Sequence, residues 1–206
     1  MKEFDLSLYL VTDRRTFDNT PLIDVVEKAI IGGVTIVQLR EKRVLTAEII
    51  MLGKKLHEVT RHYGVPLIIN DNIIAALAIG AEGVHVGQSD QIAFSAREMI
   101  GLNKILGVSA GTVQEAIRAQ NDGADYLGVG SVFTTTTKKD AGHAIGLEMM
   151  RKISQSVHIP IVGIGGITKE NASSVINAGA AGVAVVSAII GAKDPKQAAK
   201  DLRNSI

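Results

Sequence analysis

A few short stretches of the chain carry residues that could do chemistry. "VQLREK" sets an amide and two cations at alternate positions, Gln38, Arg40 and Lys42. "IIND" closes on Asn70 and Asp71, and "GVHVGQSD" closes on Asp90. "VFTTTTKKD", from Val132 to Asp140, offers hydroxyls and two ammonium groups, while "GIGGIT" (163–168) and "VVSAI" (185–189) offer small residues ahead of a helical pattern. A forked guanidinium beside an ammonium suits a diphosphate. Two aspartates brought together can share one Mg²⁺, which takes one or two carboxylates plus water and phosphate oxygens. Glycine turns and helix starts present backbone N–H groups to a phosphate. Each stretch alone has a plainer reading: a solvated charge cluster, an aspartate that starts a turn or caps a helix, a polar loop, a tight turn.

The elements that carry these stretches decide between the readings. Apolar runs rich in Val, Ile and Leu recur at 8–13, 35–40, 66–71, 83–87, 104–109, 126–130, 159–166 and 182–187. Most are continuous, as expected of strands covered on both faces. Helical patterns lie between them. Residues 21–33 run from Pro to Gly, and 46–64, 112–123 and 168–179 run from a Thr cap to a Gly stop. Thr112 followed by Glu115 matches a capping box. Eight alternations without a linker predict an α/β protein, a (β/α)8 TIM barrel occupying residues 1–206 as a single domain. An open doubly wound sheet is the alternative.

Barrels of this kind place chemistry at the C-terminal ends of their strands, and the polar stretches collect there. Continued alternation puts Gln38, Arg40 and Lys42 on one inward face with Val34 and Ile36. Asp71 and Asp90 end neighbouring strands and can meet at one Mg²⁺. Ser109 ends the fifth run, as a small turn residue or as part of the site. Gly163–Thr168 and Val186–Ala188 follow the seventh and eighth, where barrels commonly bind phosphate. His57, His62 and His158 read as surface residues, and His85 has the parity of a pocket-wall histidine. No histidine pair has metal spacing and no Ser/His/Asp triad is readable. The site therefore holds two anionic parts, a metal-bound diphosphate and a monophosphate. That predicts a transferase joining two phosphorylated small molecules with diphosphate leaving.

Bulk composition narrows the partners. A net charge of +1 lacks the cationic excess of a general nucleic-acid surface, and 3% aromatic content disfavours base-stacking platforms. The absence of cysteine excludes disulfides and thiolate metal sites and fits a reducing, cytoplasmic setting. No apolar run reaches membrane-span length and the first residues lack a signal-peptide core. The expected partners are small-molecule substrates, with no nucleic acid and no membrane; nothing in the sequence specifies an oligomeric state.

Taken in order, "VQLREK", "IIND", "GVHVGQSD", "LGVS", "ADYLGVGSVFTTTTKKD", "IPIVGIGGI" and "AGVAVVSAI" closely resemble the thiamine phosphate synthase family, over essentially the whole chain. The resemblance implies a (β/α)8 enzyme that joins 4-amino-2-methyl-5-hydroxymethylpyrimidine diphosphate to 4-methyl-5-hydroxyethylthiazole phosphate. It implies that Gln38, Arg40, Lys42, Asn70 and Lys138 hold the pyrimidine diphosphate and that Asp71 and Asp90 ligate Mg²⁺. Ser109 is implied to bond near the diphosphate. Thr135 and Thr137 are implied to contact the thiazole phosphate, with Gly166 and the Val186–Ser187 backbone. The catalytic assignment falls on Arg40, Lys42, Ser109 and Lys138. The chain departs from the family pattern at Asn72, where Arg often stands, and at Ser131 and Thr134, where Pro is common. A TenI-like thiazole tautomerase, or a barrel that only senses a thiazole phosphate, would share the monophosphate site without needing the full diphosphate set.

Overall fold

All eight apolar runs form strands, shorter at their ends than the sequence runs. The computed structural model describes residues 4–13, 21–42, 44–88, 93–135 and 143–206. The strands are β1 (Leu8–Val11), β2 (Ile36–Leu39), β3 (Leu67–Asn70), β4 (Gly83–Val86), β5 (Ile105–Ala110), β6 (Tyr126–Val129), β7 (Ile161–Ile164) and β8 (Gly182–Val185). Each pairs in parallel with the next, and β8 pairs with β1, which closes the barrel and excludes the open sheet.

Helices α1 (Leu22–Ile31), α2 (Thr46–His62), α3 (Ile73–Ile79), α4 (Ala93–Ile100), α5 (Val113–Asn121), α6 (Gly146–Ser156), α7 (Ala172–Asn177), α8 (Ser187–Ile190) and α9 (Pro195–Arg203) lie among the described residues. They follow the strands, except that both α8 and α9 come after β8. This order makes α8 the short additional helix at the place where barrels commonly add one.

The period-2 alternation of each strand divides the core in two. Leu8, Leu10, Val37, Leu39, Leu67 and Ile69 face outward and pack with the helices. Tyr9, Val11, Ile36, Ile68, Tyr126, Val162 and Ala184 face inward and fill the barrel. Val34 belongs to the outer set, because it precedes the strand and does not continue its inward row. At the N-terminal end, Tyr126 lies edge-on to Phe4 and tilted to Tyr9, both at centroid distances of 5.9 Å, and the three rings plug the barrel.

Helix starts show where local chemistry wins. Thr112 caps α5 through Oγ1, which accepts from the Glu115 amide at 3.2 Å. The expected return bond shifts by one residue, since Glu115 accepts from the Gly111 amide at 2.7 Å. Thr46 is not a cap: it stands inside the first turn of α2 and accepts from the Asn72 side chain at 3.0 Å. Pro21 sits at the N-cap of α1, one place before its first helical residue. The helix expected from Thr168 begins at Ala172, because Asn171 Oδ1 accepts from the Thr168 amide at 2.9 Å and holds a preceding turn.

Candidate active site

The C-terminal strand ends surround one cavity of about 560 Å³, within the usual range for small-molecule sites. Strand register sets the order of its side chains. Val11 pairs with Gln38, Asn70 with His85, His85 with Gly107, and Gly107 with Tyr126. One step nearer the rim, Ser109 pairs with Gly128.

The predicted cationic face is present. Gln38 points inward from β2, almost fully buried at 4% exposure, and its Nε2 donates to the Tyr9 hydroxyl at 2.8 Å. Above it, Arg40 lines the cavity with Nη1 3.5 Å from Asp13 Oδ2, and its amide donates to Thr12 Oγ1 at 3.0 Å. Lys42 Nζ lies 3.9 Å from Asp71 Oδ2, and Asn70 Nδ2 donates to the same oxygen at 2.6 Å. Asp71 stands at φ 61°, in the left-handed region, with its amide bonded to the His85 carbonyl at 2.8 Å. Asp is among the few side chains that adopt this conformation readily. The turn after β3 thereby directs an acid into a site already supplied with cations.

The opposite wall is built from β6, β7 and β8. Thr134, Thr135, Gly165, Gly166, Thr168, Val186 and Ser187 all line the cavity. Gly166 adopts φ 65°, and a β-carbon there would lie 2.6 Å from the Thr134 carbonyl oxygen, so only glycine lets the two loops approach. Its amide has no acceptor among the described residues, and a backbone donor facing a cavity in this way is suited to an anion.

Between the walls lies a floor of hydroxyls and one imidazole. The Tyr9 and Tyr126 oxygens are 2.7 Å apart. His85 Nδ1 lies 3.0 Å from the Tyr126 oxygen and His85 Nε2 lies 3.0 Å from Ser109 Oγ. The Ser109 carbonyl accepts from Gln88 Nε2 at 2.6 Å. Burial pushes the Tyr9 phenol well above its ordinary range, with its hydrogen-bond contacts to Tyr126 and Gln38 opposing. Burial, then the neighbouring Tyr9, raise Tyr126 as well. Both remain neutral phenols at physiological pH.

Gln38, Arg40, Lys42, Asn70, Asp71, Ser109, Thr135, Gly166, Val186 and Ser187 thus line one cavity. Asp90, Thr137 and Lys138 lie outside the described residues. His85 is the expected pocket-wall residue. His57 corrects the surface expectation: at 8% exposure it is buried, with its Nε2 3.0 Å from Glu82 Oε1, which accepts the hydrogen bond. Asn72 has a local task at the family's Arg position. Its Oδ1 accepts from the Ala75 amide at 2.8 Å and caps α3. Sequence reasoning missed Asp13 and the tyrosine pair. Asp13 ends the first apolar run with the same inward parity as Tyr9 and Val11, which was the available signal.

Asp71 supplies a hard oxygen donor at the rim, which fits Mg²⁺ with phosphate and water completing its shell. Among the described residues no three His, Cys, Asp or Glu side chains gather at one point. Among them, too, no helix is long and apolar enough to cross a membrane.

A model of the family described as thiamine monophosphate synthase matches residues 8–189. The thiamine-phosphate synthase of Clostridium acetobutylicum is 50% identical over 200 residues, which is 97% of this chain and 94% of that protein. That of Ruminiclostridium cellulolyticum is 52% identical over 200 residues, covering 97% and 95%. Among solved structures, thiamine phosphate pyrophosphorylase from Pyrococcus furiosus superposes with a TM-score of 0.89 at 43% identity, covering 97% of this chain and 95% of that one. A 3-hexulose-6-phosphate synthase at 21% identity and TM-score 0.74 shares the fold.

Proposed function

We propose a function for this chain on the ground that it belongs to the thiamine monophosphate synthase family: it is a thiamine-phosphate synthase. It transfers the 4-amino-2-methylpyrimidin-5-ylmethyl group from its diphosphate to the thiazole phosphate, and diphosphate leaves. The observation that carries this reading is that the cationic wall and the glycine wall line the same cavity. A diphosphate would lie against Arg40 and Lys42, and a monophosphate against the Gly166 amide and Ser187, all of which line that cavity.

Each residue then has a task. Gln38 and Asn70 orient the pyrimidine diphosphate. Arg40 and Lys42 take up charge as the carbon–oxygen bond to diphosphate lengthens, joined by Lys138. Ser109 donates a hydrogen bond beside the same anion. Thr135 and Thr137 hold the thiazole phosphate with Gly166 and the Val186–Ser187 backbone. The electron-rich aminopyrimidine stabilises the methylene cation, and the thiazole nitrogen attacks it in a dissociative sequence. Asp71 with Asp90 would hold Mg²⁺, which when bound neutralises charge on the diphosphate. Positioning and electrostatics do the work, so no side-chain nucleophile is required.

The reading includes one barrel domain over residues 1–206 and a cytoplasmic setting, the latter supported by the cysteine-free composition. The test is direct: purified protein, both phosphorylated substrates and Mg²⁺ yield thiamine phosphate and diphosphate. Tautomerisation of the thiazole without coupling would overturn the reading.

A further inference from the structure

The floor of the site is a hydrogen-bonded chain that crosses the barrel. It runs Gln38, Tyr9, Tyr126, His85, Ser109, through β2, β1, β6, β4 and β5, with contacts of 2.8, 2.7, 3.0 and 3.0 Å. Glycine makes room for it. Gly107 stands between His85 and Tyr126 in the strand register, and a β-carbon there would lie 2.2 Å from Tyr126 Cζ and 2.5 Å from His85 Nδ1. At Gly128 it would lie 2.9 Å from His85 Cε1. The two missing side chains are what let the imidazole reach a phenol on one side and a serine on the other.

The chain has a direction, fixed at its first link. The Gln38 amide nitrogen can only donate, so the Tyr9 oxygen accepts. Tyr9 is 1% exposed and its oxygen has no third partner among the described residues. Its own proton must therefore go to Tyr126, because the alternative strands a buried donor. Tyr126, accepting from Tyr9, donates to His85 Nδ1. An imidazole that accepts at Nδ1 carries its proton at Nε2 in the neutral form, and Nε2 then donates to Ser109 Oγ.

We infer that Gln38, acting through two tyrosines, holds His85 in the Nε2–H tautomer, and that His85 is a positioning residue which keeps Ser109 a hydrogen-bond donor toward the cavity. With its oxygen accepting from His85, the serine hydroxyl proton is directed at the bound anion. In the opposite tautomer that proton would be spent on His85 Nε2, and the serine would turn a lone pair toward the diphosphate. The inference rests on the transferase reading for the identity of that anion, but the tautomer itself does not depend on it.

The test uses the full chain with ¹⁵N-labelled histidine, without substrate, the His85 signals being those lost in His85→Asn. The unsubstituted protein shows a protonated Nε2 and a bare Nδ1. Gln38→Glu, recorded above neutral pH with its carboxylate ionised, reverses every link: the carboxylate accepts from Tyr9, Tyr9 from Tyr126, Tyr126 from Nδ1–H, and Nε2 from Ser109. The tautomer therefore switches to Nδ1–H, three side chains from the substitution. An Nδ1–H tautomer or an imidazolium in the unsubstituted protein overturns the inference, as does an unswitched tautomer in Gln38→Glu. Should Gln38→Glu not fold, Tyr126→Phe replaces it: loss of the donor to Nδ1 gives a mixture of tautomers, and a pure Nε2–H signal overturns the inference. If Gln38→Glu shows the switch while the unsubstituted protein makes no thiamine phosphate, the transferase reading alone is refuted.

Discussion

Arg40 meets Asp13 across 3.5 Å at the ends of neighbouring strands, with both side chains largely withdrawn from solvent. The acid holds the guanidinium over the cavity against the flexibility of its own stem. Asp13→Asn keeps the shape and removes the charge. Close charge pairs withdrawn from solvent couple by about 1.5 kcal/mol or more, so kcat/KM is expected to fall by at least roughly tenfold. Steady-state kinetics beside a thermal melt check this; a melting loss that accounts for the lost activity would assign Asp13 to the fold instead.

Asp71 separates charge from conformation. Asn tolerates the left-handed region as Asp does, so Asp71→Asn at φ 61° should leave the urea midpoint unchanged while turnover falls and the Mg²⁺ requirement rises. Asp71→Ala loses the local polar tolerance as well and is expected to cost about 1 kcal/mol of stability. Equal stability of the two variants would remove backbone conformation as a factor.

The two inward glycines predict a graded pair. Gly107→Ala drives a methyl to 2.2 Å from Tyr126 Cζ, whereas at Gly128 the nearest atom is His85 Cε1 at 2.9 Å. Overpacking of this kind costs about 1–3 kcal/mol, and Gly107→Ala should stand at the upper end and Gly128→Ala at the lower. Urea unfolding of both variants gives the ranking, and the reverse order would contradict the geometry.

The tyrosines give a pH prediction with a definite sign. Burial raises Tyr9 and Tyr126 above the free phenol value, so the folded state holds these protons more tightly than the unfolded chain does. Their contribution to stability is complete below pH about 10 and is lost as pH rises beyond it. Of the three tyrosines only Tyr63, 38% exposed, should show phenolate absorbance while the protein stays folded. Its own titration is displaced upward by the bond to Glu27. Two or three phenolates before unfolding would show that the floor is wet.

Strands were legible because a surface buried on both faces needs unbroken apolar runs, and the inward parity of Gln38 and His85 could be counted from them. What could not be counted was pairing across the barrel. Tyr9 and Tyr126 are 117 positions apart and read as two ordinary core aromatics until closure brings their oxygens together. His57 looked like a surface residue because its partner Glu82 is 25 positions away. Helix ends failed where a side chain had a better local bond, as Asn171 has with the Thr168 amide. Asp13 was missed for a related reason: Arg14 and Arg15 follow it directly, so it reads as part of a solvated charge cluster, while its partner Arg40 lies on the next strand.

The ring plug of Phe4, Tyr9 and Tyr126 gives the cavity a bottom. A cavity floored in this way imposes a queue on molecules that enter from the C-terminal ends of the strands. The molecule that reaches the tyrosine floor must enter before the one that rests on the rim, and any fragment sealed beneath a larger product must wait for it to go. Order of arrival and departure is therefore written into the shape of the barrel, before any affinity is considered.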